Sequence, residues 1–289
     1  MPHHKTPPPA HDHQECLSHE QLVQLESYKL DPDVVRLILN PDLFVEKLKR
    51  SVSVRLAAPD DEEKILAFLV SEHASREPMA AALGMIPKEL EHVEAAYRRK
   101  LRHHLVEGLA LLLLDNDCIC GLSFASIRFV TSRPPDGEVH QFKEDYGKEL
   151  ESHRVPAPRL NRILTFQKAM EDAIPFFLPP DVHRFAVIDF LCVQEEYLNC
   201  DLEKILVYET FSRAAELAVS HLCIICASVF SLRMAIELVL HPATHLPFAR
   251  FQCDKERVFG ERLPDGAVGA TLFVCDVHEF LCISKKDVS

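Results

Sequence analysis

The sequence predicts a mixed α/β (α+β) fold, with a twisted, mostly antiparallel sheet and helices on both faces. Residues 185–193 are dense in β-branched and aromatic side chains, which is typical of a buried central strand. Residues 201–218 repeat apolar side chains at helical spacing, so a helix follows this strand almost directly. Elsewhere helical and strand patterns alternate without an internal repeat, which predicts one sheet covered by helices.

The composition limits the classes of function. The chain has 289 residues, of which 47% are hydrophobic, so it can bury a sizeable core. Its formal net charge of −12 argues against nucleic acid and anionic membranes as partners, because both attract basic proteins. No apolar run reaches the roughly 20 residues that span a bilayer, and the first residues lack the apolar core of a signal peptide. We therefore expect a cytoplasmic protein with no nucleic acid and no membrane as a partner.

Two of the cysteines have a spacing that is known from metal sites. Cys223 and Cys226 are separated as in a zinc or redox pair. They lie within the apolar segment HLCIICAS, and the sequence offers no second pair of matching spacing. A reduced thiol packs like a small hydrophobic side chain. We therefore predict that both thiols pack in the core and that the chain binds no metal.

The N-terminal region differs in composition from the rest of the chain. Residues 1–15 are rich in Pro and His and predict a disordered tail. Residues 16–50 predict a helical extension of short helices broken at Pro32 and Pro41, which could recruit a protein partner. Residues 51–289 form the predicted main domain.

Within the main domain the predicted order is β-α-α-β-β-insertion-β-α-β-α-β-β. Pro59 and the acids after it open the first helix, because Pro suits a first turn and carboxylates face the positive end of the helix dipole. The run Asp115–Asp117 is a turn signal between two strands. The predicted strands are residues 52–57, 109–115, 118–130, 185–193, 222–227, 248–253 and 270–277. The predicted helices include residues 87–104, 201–218 and 230–240, with one more near 159–173 inside an irregular insertion at 131–180.

Five segments, in this order, resemble the GCN5-related N-acetyltransferase (GNAT) superfamily, and in particular its invertebrate arylalkylamine N-acetyltransferase branch. The resemblance extends over residues 52–277. The segments are VRLAAPDDEEKILAFL, SREPMAAALGM, IDFLCVQEEYLNCDLEKIL, CASVFSLRMAIELVL and HLPFARFQCDKERVF. The resemblance implies an acetyl-CoA-dependent N-acetyltransferase that acts on a small, aromatic amine.

The resemblance also implies where acetyl-CoA would bind. Its pantetheine arm would pair with the strand end at Leu191, Cys192 and Val193. Its pyrophosphate would bind the following turn and the first residues of the helix, where backbone N–H groups favour an anion: Leu198, Asn199, Cys200, Asp201, Leu202, Glu203 and Lys204.

This turn departs from the superfamily pattern Arg/Gln-x-x-Gly-x-Gly/Ala. Leu198 takes the first position, and Asp201 and Glu203 take the glycine positions. The chain has 8 glycines, and no glycine lies between Gly147 and Gly260. Two carboxylates then face bound phosphates, and like charges at short range repel. Without the resemblance, the local sequence indicates that Asp201 and Glu203 are first-turn acids of an ordinary helix.

The resemblance assigns three catalytic candidates. Glu77, in the Glu-Pro loop, corresponds to the base that takes a proton from the amine, although its local sequence favours a solvated loop acid. Ser228 and Ser231 correspond to the serines before the last helix. Residues 230–240 contain no Tyr to act as the acid, and Ser231 is equally typical of a helix N-cap. Four histidines near the first helices could act as bases, but surface positions are favoured for each: His73, His92, His103 and His104.

Three hypotheses remain open from the sequence. The first is a working N-acetyltransferase with acetyl-CoA as co-substrate. The second is a degenerate GNAT-fold protein that acts as a binding or regulatory module. The third is an interaction module in which residues 16–50 recruit the partner. For all three, the strand ending at Val193 is expected to part from residues 222–227, and Glu77 is expected to face a cavity. Pro78 favours an extended backbone at Glu77.

Overall fold

The structure is a computed structural model, and it describes residues 42–45, 50–135, 137–152, 155–198 and 200–286. The predicted tail and residues 16–41 of the predicted helical extension lie outside the described residues. Among the described residues, no helix combines the length and the apolar character needed to cross a membrane.

The strands and helices alternate as the sequence patterns predict. The strands are β1 (Asp42–Val45), β2 (Arg50–Leu56), β3 (Ala110–Asp115), β4 (Cys118–Phe129), β5 (Arg184–Val193), β6 (His221–Cys226), β7 (Pro242–Pro247), β8 (Gln252–Cys253), β9 (Glu256–Arg257) and β10 (Gly269–Asp276). The helices are α1 (Glu62–Phe68), α2 (Pro78–Ala82), α3 (Pro87–Glu107), α4 (Gly147–Ser152), α5 (Pro158–Phe177), α6 (Leu202–Glu216), α7 (Val229–Glu237) and α8 (Val277–Lys286).

Eight strands form one sheet in the order β1-β2-β3-β4-β5-β6-β10-β7. Neighbouring strands are antiparallel except β5 and β6, which run parallel. Their pairing begins at Ala186 and ends where Ile188 faces Ile224, although β5 continues to Val193. The mixed, mostly antiparallel sheet confirms the predicted fold class. The parting of β5 from β6 confirms the predicted opening.

Helices cover both faces of this sheet. On one face α1 and α3 pack their apolar side chains on β3, β4 and the end of β5. The insertion contributes α5, which packs on β5 and β10 on that same side. On the opposite face α6 and α8 pack on β5, β6 and β10. Cys223 and Cys226 are both buried in β6, as predicted.

Several elements differ from the sequence expectations, among them the short helices α2 and α4, which were not predicted. Residues 42–45 form β1, which pairs with β2, where short helices were predicted. The strand predicted at 248–253 is wrong for most of its length: a 3-10 turn occupies Phe248–Arg250, Gln252–Cys253 form the short strand β8, and the longer strand β7 lies just before this range. Proline at both ends of β7 hid this strand, because proline interrupts a strand pattern except at an edge, where β7 lies. The C-terminal helix α8 was not predicted.

We predict that the packing of α6 against α8 at Phe211 contributes to the stability of the domain. Phe211 of α6 is fully buried and stacks on Phe280 of α8, with ring centroids 4.0 Å apart. Phe211→Ala should lower the free energy of unfolding by about 3–5 kcal/mol, measured by urea denaturation.

The control for this prediction is Phe129→Ala, which removes a phenyl ring that is 65% exposed. It should change the free energy of unfolding by at most about 0.5 kcal/mol. Equal midpoints for the two variants would contradict the packing of α8 described above.

Candidate active site

A cavity of about 610 Å³ opens where β5 and β6 part. The segment between α1 and α2 forms one wall of the cavity, α3 and α5 form a second wall, and the start of α7 forms a third. The ends of both strands line its floor, including Leu191 and Val193 of β5 and Ile225 of β6. The cavity therefore occupies the opening that the sheet topology creates.

Glu77 lines this cavity, as the sequence predicted. It is the N-cap of α2, with an extended backbone (φ −62°, ψ 113°) ahead of Pro78, and its carboxylate accepts from Met79 N at 3.2 Å. The side chain is open to the cavity but surrounded by protein atoms. Desolvation raises the pKa of Glu77 to about 7, against the opposing hydrogen bond from Met79, and the charge of Asp265 raises it further. Glu77 can therefore take up and release a proton near neutral pH.

An aromatic cluster lies on the same side of the sheet as Glu77. His73 Nδ1 and the Tyr97 hydroxyl are hydrogen-bonded at 2.8 Å, and both rings meet Phe190 edge to face. Burial lowers the pKa of His73 to about 4, so its ring is neutral at pH 7. Burial also raises the pKa of Tyr97 above its usual range. These three side chains line the cavity with aromatic surface.

Two expectations for the histidines are wrong. His73 lines the cavity, and His104 is 2% exposed with its Nδ1 3.1 Å from the Ala125 carbonyl oxygen. Tyr97 was not recognised from the sequence as a site residue. Its position in the helical pattern of α3, on the same face as Leu101, was the available signal.

Ser228 and Ser231 also line the cavity. Ser228 is the N-cap of α7: its Oγ accepts from Ser231 N at 3.1 Å, and its own N–H donates to Ser231 Oγ at 3.2 Å. The two hydroxyl oxygens are 2.8 Å apart. Ser228, rather than Ser231, therefore has the N-cap role. The pair presents hydroxyl groups to the cavity that Glu77 faces.

The end of β5 lines the cavity at Leu191, Cys192 and Val193, where the sequence placed them. Burial raises the pKa of the Cys192 thiol to about 11, so the thiol stays protonated. Arg76 donates to the Val193 carbonyl at 2.6 Å and pairs with Glu72 at 3.2 Å. A ligand that pairs with Val193 must therefore share this carbonyl with Arg76 or displace the guanidinium.

The turn after β5 and the first residues of α6 were the candidates for binding phosphate. Leu198 lines the cavity, whereas Cys200 and Leu202 pack in the core with Tyr197. Asn199 lies outside the described residues. Asp201 is the N-cap of α6 in the left-handed region (φ 58°). The cofactor-binding roles assigned to this turn stay predictions.

The charges at the start of α6 neutralise one another. Lys204 Nζ lies 2.9 Å from Asp201 Oδ1 and 2.5 Å from Glu237 Oε2, and its side chain is 5% exposed. Arg233 donates to the other oxygen of Glu237 at 2.7 Å. Although burial opposes the charge, hydrogen bonds to Glu237 and Asp201 hold the pKa of Lys204 above its ordinary value. Both cations are thus paired with carboxylates of the chain, and a diphosphate does not fit this corner.

Glu203 adds a third carboxyl group at the same corner. It is 5% exposed, and among the described residues its Oε2 has no hydrogen-bond partner. Burial raises the pKa of Glu203 to about 7. Glu203 is thus a first-turn acid of α6, as the sequence indicated, but it is a buried one.

A second charged group of side chains reaches the cavity from β5. Asp189, which interrupts the apolar run of this strand, lines the cavity and accepts from Arg128 at 2.7 Å and from Ser126 at 2.5 Å. Lys100 Nζ lies 3.9 Å from Asp189, and Glu171 pairs with Arg128 at 2.6 Å. Burial alone would lower the pKa of Arg128, but these carboxylates raise it above its usual range. This part of the cavity wall is polar and internally compensated.

Comparison with solved structures identifies the fold. Arylalkylamine N-acetyltransferase 2 from Aedes aegypti matches with a TM-score of 0.61 and 14% identity, over 78% of this chain and 99% of that one. A Drosophila melanogaster polyamine N-acetyltransferase, which catalyses the formation of N-acetylagmatine, matches at 0.60 and 17% identity over 78% and 99%. The C-terminal condensation domain of Ebony, in complex with β-alanyl-dopamine, matches at 0.60 and 12% identity over 78% and 99%.

No family model matches the chain, and no curated protein matches it. The fold is that of the GCN5-related N-acetyltransferases, as the sequence segments predicted, and the insect arylalkylamine N-acetyltransferases are among the structures that share it.

We predict that Glu203 makes stability depend on pH. The pKa of Glu203 is raised from 4.5 to about 7 in the folded chain. As pH rises through this window, the unfolded chain loses the proton first, so the free energy of unfolding falls. Glu203→Gln should therefore unfold with up to about 3 kcal/mol more free energy than wild type at pH 8, and with no gain at pH 4, measured by urea denaturation at each pH.

The control is Glu138→Gln, which removes a carboxylate from the exposed surface. This variant shows how the loss of one exposed carboxylate changes the free energy of unfolding. A Glu203→Gln variant that is no more stable than wild type at pH 8 would show that this carboxyl is not buried without a partner.

Proposed function

We propose that the chain is an N-acyltransferase that moves an acetyl group from a pantetheine thioester, such as acetyl-CoA, to a small aromatic amine. One observation supports this most strongly. Glu77, with a pKa of about 7, lines a cavity that runs into the parting of β5 and β6. General bases work best when their pKa lies near the operating pH.

Glu77 is the proposed base. Its carboxylate takes one proton from the amine nitrogen while the nitrogen lone pair bonds to the acyl carbon. As the bond between the acyl carbon and the sulfur breaks, the hydroxyl pair of Ser228 and Ser231 gives a proton to the departing sulfur. The proton that Glu77 took then replaces it, so that an amide and a thiol are formed and the protein returns to its starting protonation. The protonated Cys192 does not compete as a nucleophile, since thiolate is the reactive form.

The thioester, when bound, supplies an acyl group activated towards nitrogen. The chain would hold its arm along Leu191, Cys192 and Val193, beyond the point where β5 leaves β6. The open strand edge and the cavity fit this arm. The start of α6 does not fit the diphosphate of acetyl-CoA, because Lys204 is paired with Asp201 and Glu237.

The amine pocket would combine aromatic surface with carboxylates. Phe190, Tyr97 and His73 offer ring edges and faces to an aryl group. Asp265 and Glu77 are carboxyl groups on the same cavity and would attract an ammonium group. The arylalkylamine and polyamine acetyltransferases that share the fold are named for amine substrates, which agrees with this proposal.

A second candidate function is a binding module that holds an amine without turnover. The ion pairs of Lys204 with Asp201 and Glu237 favour it, because they leave the phosphate corner without net positive charge. Recruitment of a protein through residues 16–50 and a cytoplasmic location both stay predictions.

Product analysis separates the two functions. The protein is incubated with acetyl-CoA or S-acetyl-pantetheine and a panel of arylalkylamines, alkyl amines and polyamines, and N-acetylated products are measured by mass spectrometry. Acetylated aromatic amine supports the acyltransferase. Binding of the amines by calorimetry, with no product from either donor, supports the binding module.

We predict that turnover depends on the ionised form of Glu77. In wild type, kcat/KM should rise with pH and level off above about pH 7, because the base must be deprotonated. Glu77→Gln should lower kcat by about 10²–10⁴-fold, measured with the best amine of the panel.

Two controls show whether a loss of turnover in Glu77→Gln comes from a loss of the fold. Glu77→Gln removes a carboxyl whose pKa is raised by burial, so the variant should be at least as stable as wild type at pH 8. Glu63→Gln changes an exposed glutamate that pairs with Arg98 and should leave kcat unchanged. Full turnover by Glu77→Gln would remove Glu77 as the base.

A further inference from the structure

The opening between β5 and β6, called the slot below, places the end of β5 beside the cavity. Beyond Ile188 the edge of β5 faces the cavity, and Leu191 and Val193 line it opposite Ile225. Apolar side chains form these walls. The strand edge carries backbone groups, of which the Val193 carbonyl already accepts a hydrogen bond from Arg76. An extended chain that contains amides can pair with such an edge in the way that peptides extend a sheet. A pantetheine arm has this chemistry.

The cations at the far end of the slot are already paired. Arg233, which lines the cavity, donates to Glu237 Oε1 at 2.7 Å. Lys204 lies 2.5 Å from Glu237 Oε2 and 2.9 Å from Asp201. Two positive and two negative side chains leave this corner with no net positive charge, before any ligand is present.

Glu203 makes the corner more negative as its carboxyl ionises. Its Oε2 is buried and, among the described residues, has no hydrogen-bond partner. Three carboxyl groups thus lie within one short region, those of Asp201 and Glu203 at the start of α6 and that of Glu237 at the end of α7. Asp201 and Glu237 both pair with Lys204, and Glu237 also pairs with Arg233. Like charges repel at short range, so a diphosphate that docks here gains no net attraction from the side chains.

We propose that the slot recognises the acyl donor through its thioester and pantetheine arm alone, so that an acyl-pantetheine without a nucleotide serves as well as an acyl-CoA. This inference rests on the proposed function. It names the substrate class of that site as pantetheine thioesters in general. The nucleotide of CoA would remain outside the corner formed by Asp201, Lys204 and Glu237.

The test compares donors on the wild-type protein. Calorimetric titrations give Kd for CoA and for pantetheine, and initial rates give kcat/KM for acetyl-CoA and S-acetyl-pantetheine with the same amine. We expect CoA and pantetheine to differ by less than about tenfold in both quantities. 3′,5′-ADP, the nucleotide part of CoA, should not compete with either donor. A preference for CoA of about tenfold or more, or competition by 3′,5′-ADP, would overturn the inference.

A double variant tests the physical cause. Asp201→Asn with Glu237→Gln keeps the shapes but removes both negative charges, so Lys204 and Arg233 become available to phosphate. Affinity for CoA relative to pantetheine should then rise by about tenfold or more. Asp172→Asn, which breaks the exposed pair of Lys168 and Asp172 on α5, is the matched control and should leave this ratio unchanged.

The outcomes separate this inference from the proposed function. Equal binding of CoA and pantetheine without any acetylated amine supports the donor recognition but contradicts the acyltransferase. Acetylation that requires the nucleotide supports the acyltransferase and overturns the inference. Absence of binding by both CoA and pantetheine, with no product, overturns both. If the double variant does not fold, the comparison of CoA with pantetheine on the wild-type protein tests the inference without it.

Discussion

The short parallel pairing of β5 with β6 is the constraint on which the rest of the site depends. The strands pair from Ala186 to Ile188, while on its other side β5 stays paired with β4 as far as Val193. The end of β5 is therefore held in place by β4 with its second edge open. The start of α7, fixed by Ser228, closes the opposite side of the gap. The topology places the gap at this point, and the segment between α1 and α2 supplies one wall of the cavity.

Buried carboxyl groups around the gap behave differently because their partners differ. Asp189 is 4% exposed in its side chain, but Arg128 and Ser126 hydrogen-bond it and compensate its charge. Glu77 has one backbone hydrogen bond, so burial outweighs it and the pKa rises to about 7. Buried charges are tolerated where a cation faces them, and otherwise the group tends to become neutral. Glu77, a carboxyl on the cavity that one backbone hydrogen bond compensates only weakly, is thus suited to exchange protons.

Sequence patterns predicted the central strand, the helix after it and the helix of the insertion, because each element has a local pattern of apolar residues. The prolines at both ends of β7 obscured its strand pattern, and no local sequence signal predicted α8. The site was predicted in part: the loop that contains Glu77 faces the cavity as expected. The contact of Arg76 with the Val193 carbonyl joins residues 117 positions apart, and the pairing of Lys204 with Glu237 joins two helices. Such contacts depend on tertiary packing, and no local pattern in the sequence predicts them.

The protonation of Glu77 in the folded protein is the property on which the proposed catalysis depends most directly. A ¹³C NMR titration of the glutamate carboxyl groups, with Glu77 assigned by comparison with Glu77→Gln, measures it without any substrate. We predict that this carboxyl titrates near pH 7, because the cavity wall desolvates it. Titration near 4.5, the value for an ordinary glutamate, would show that Glu77 is solvated and would contradict its assignment as the base.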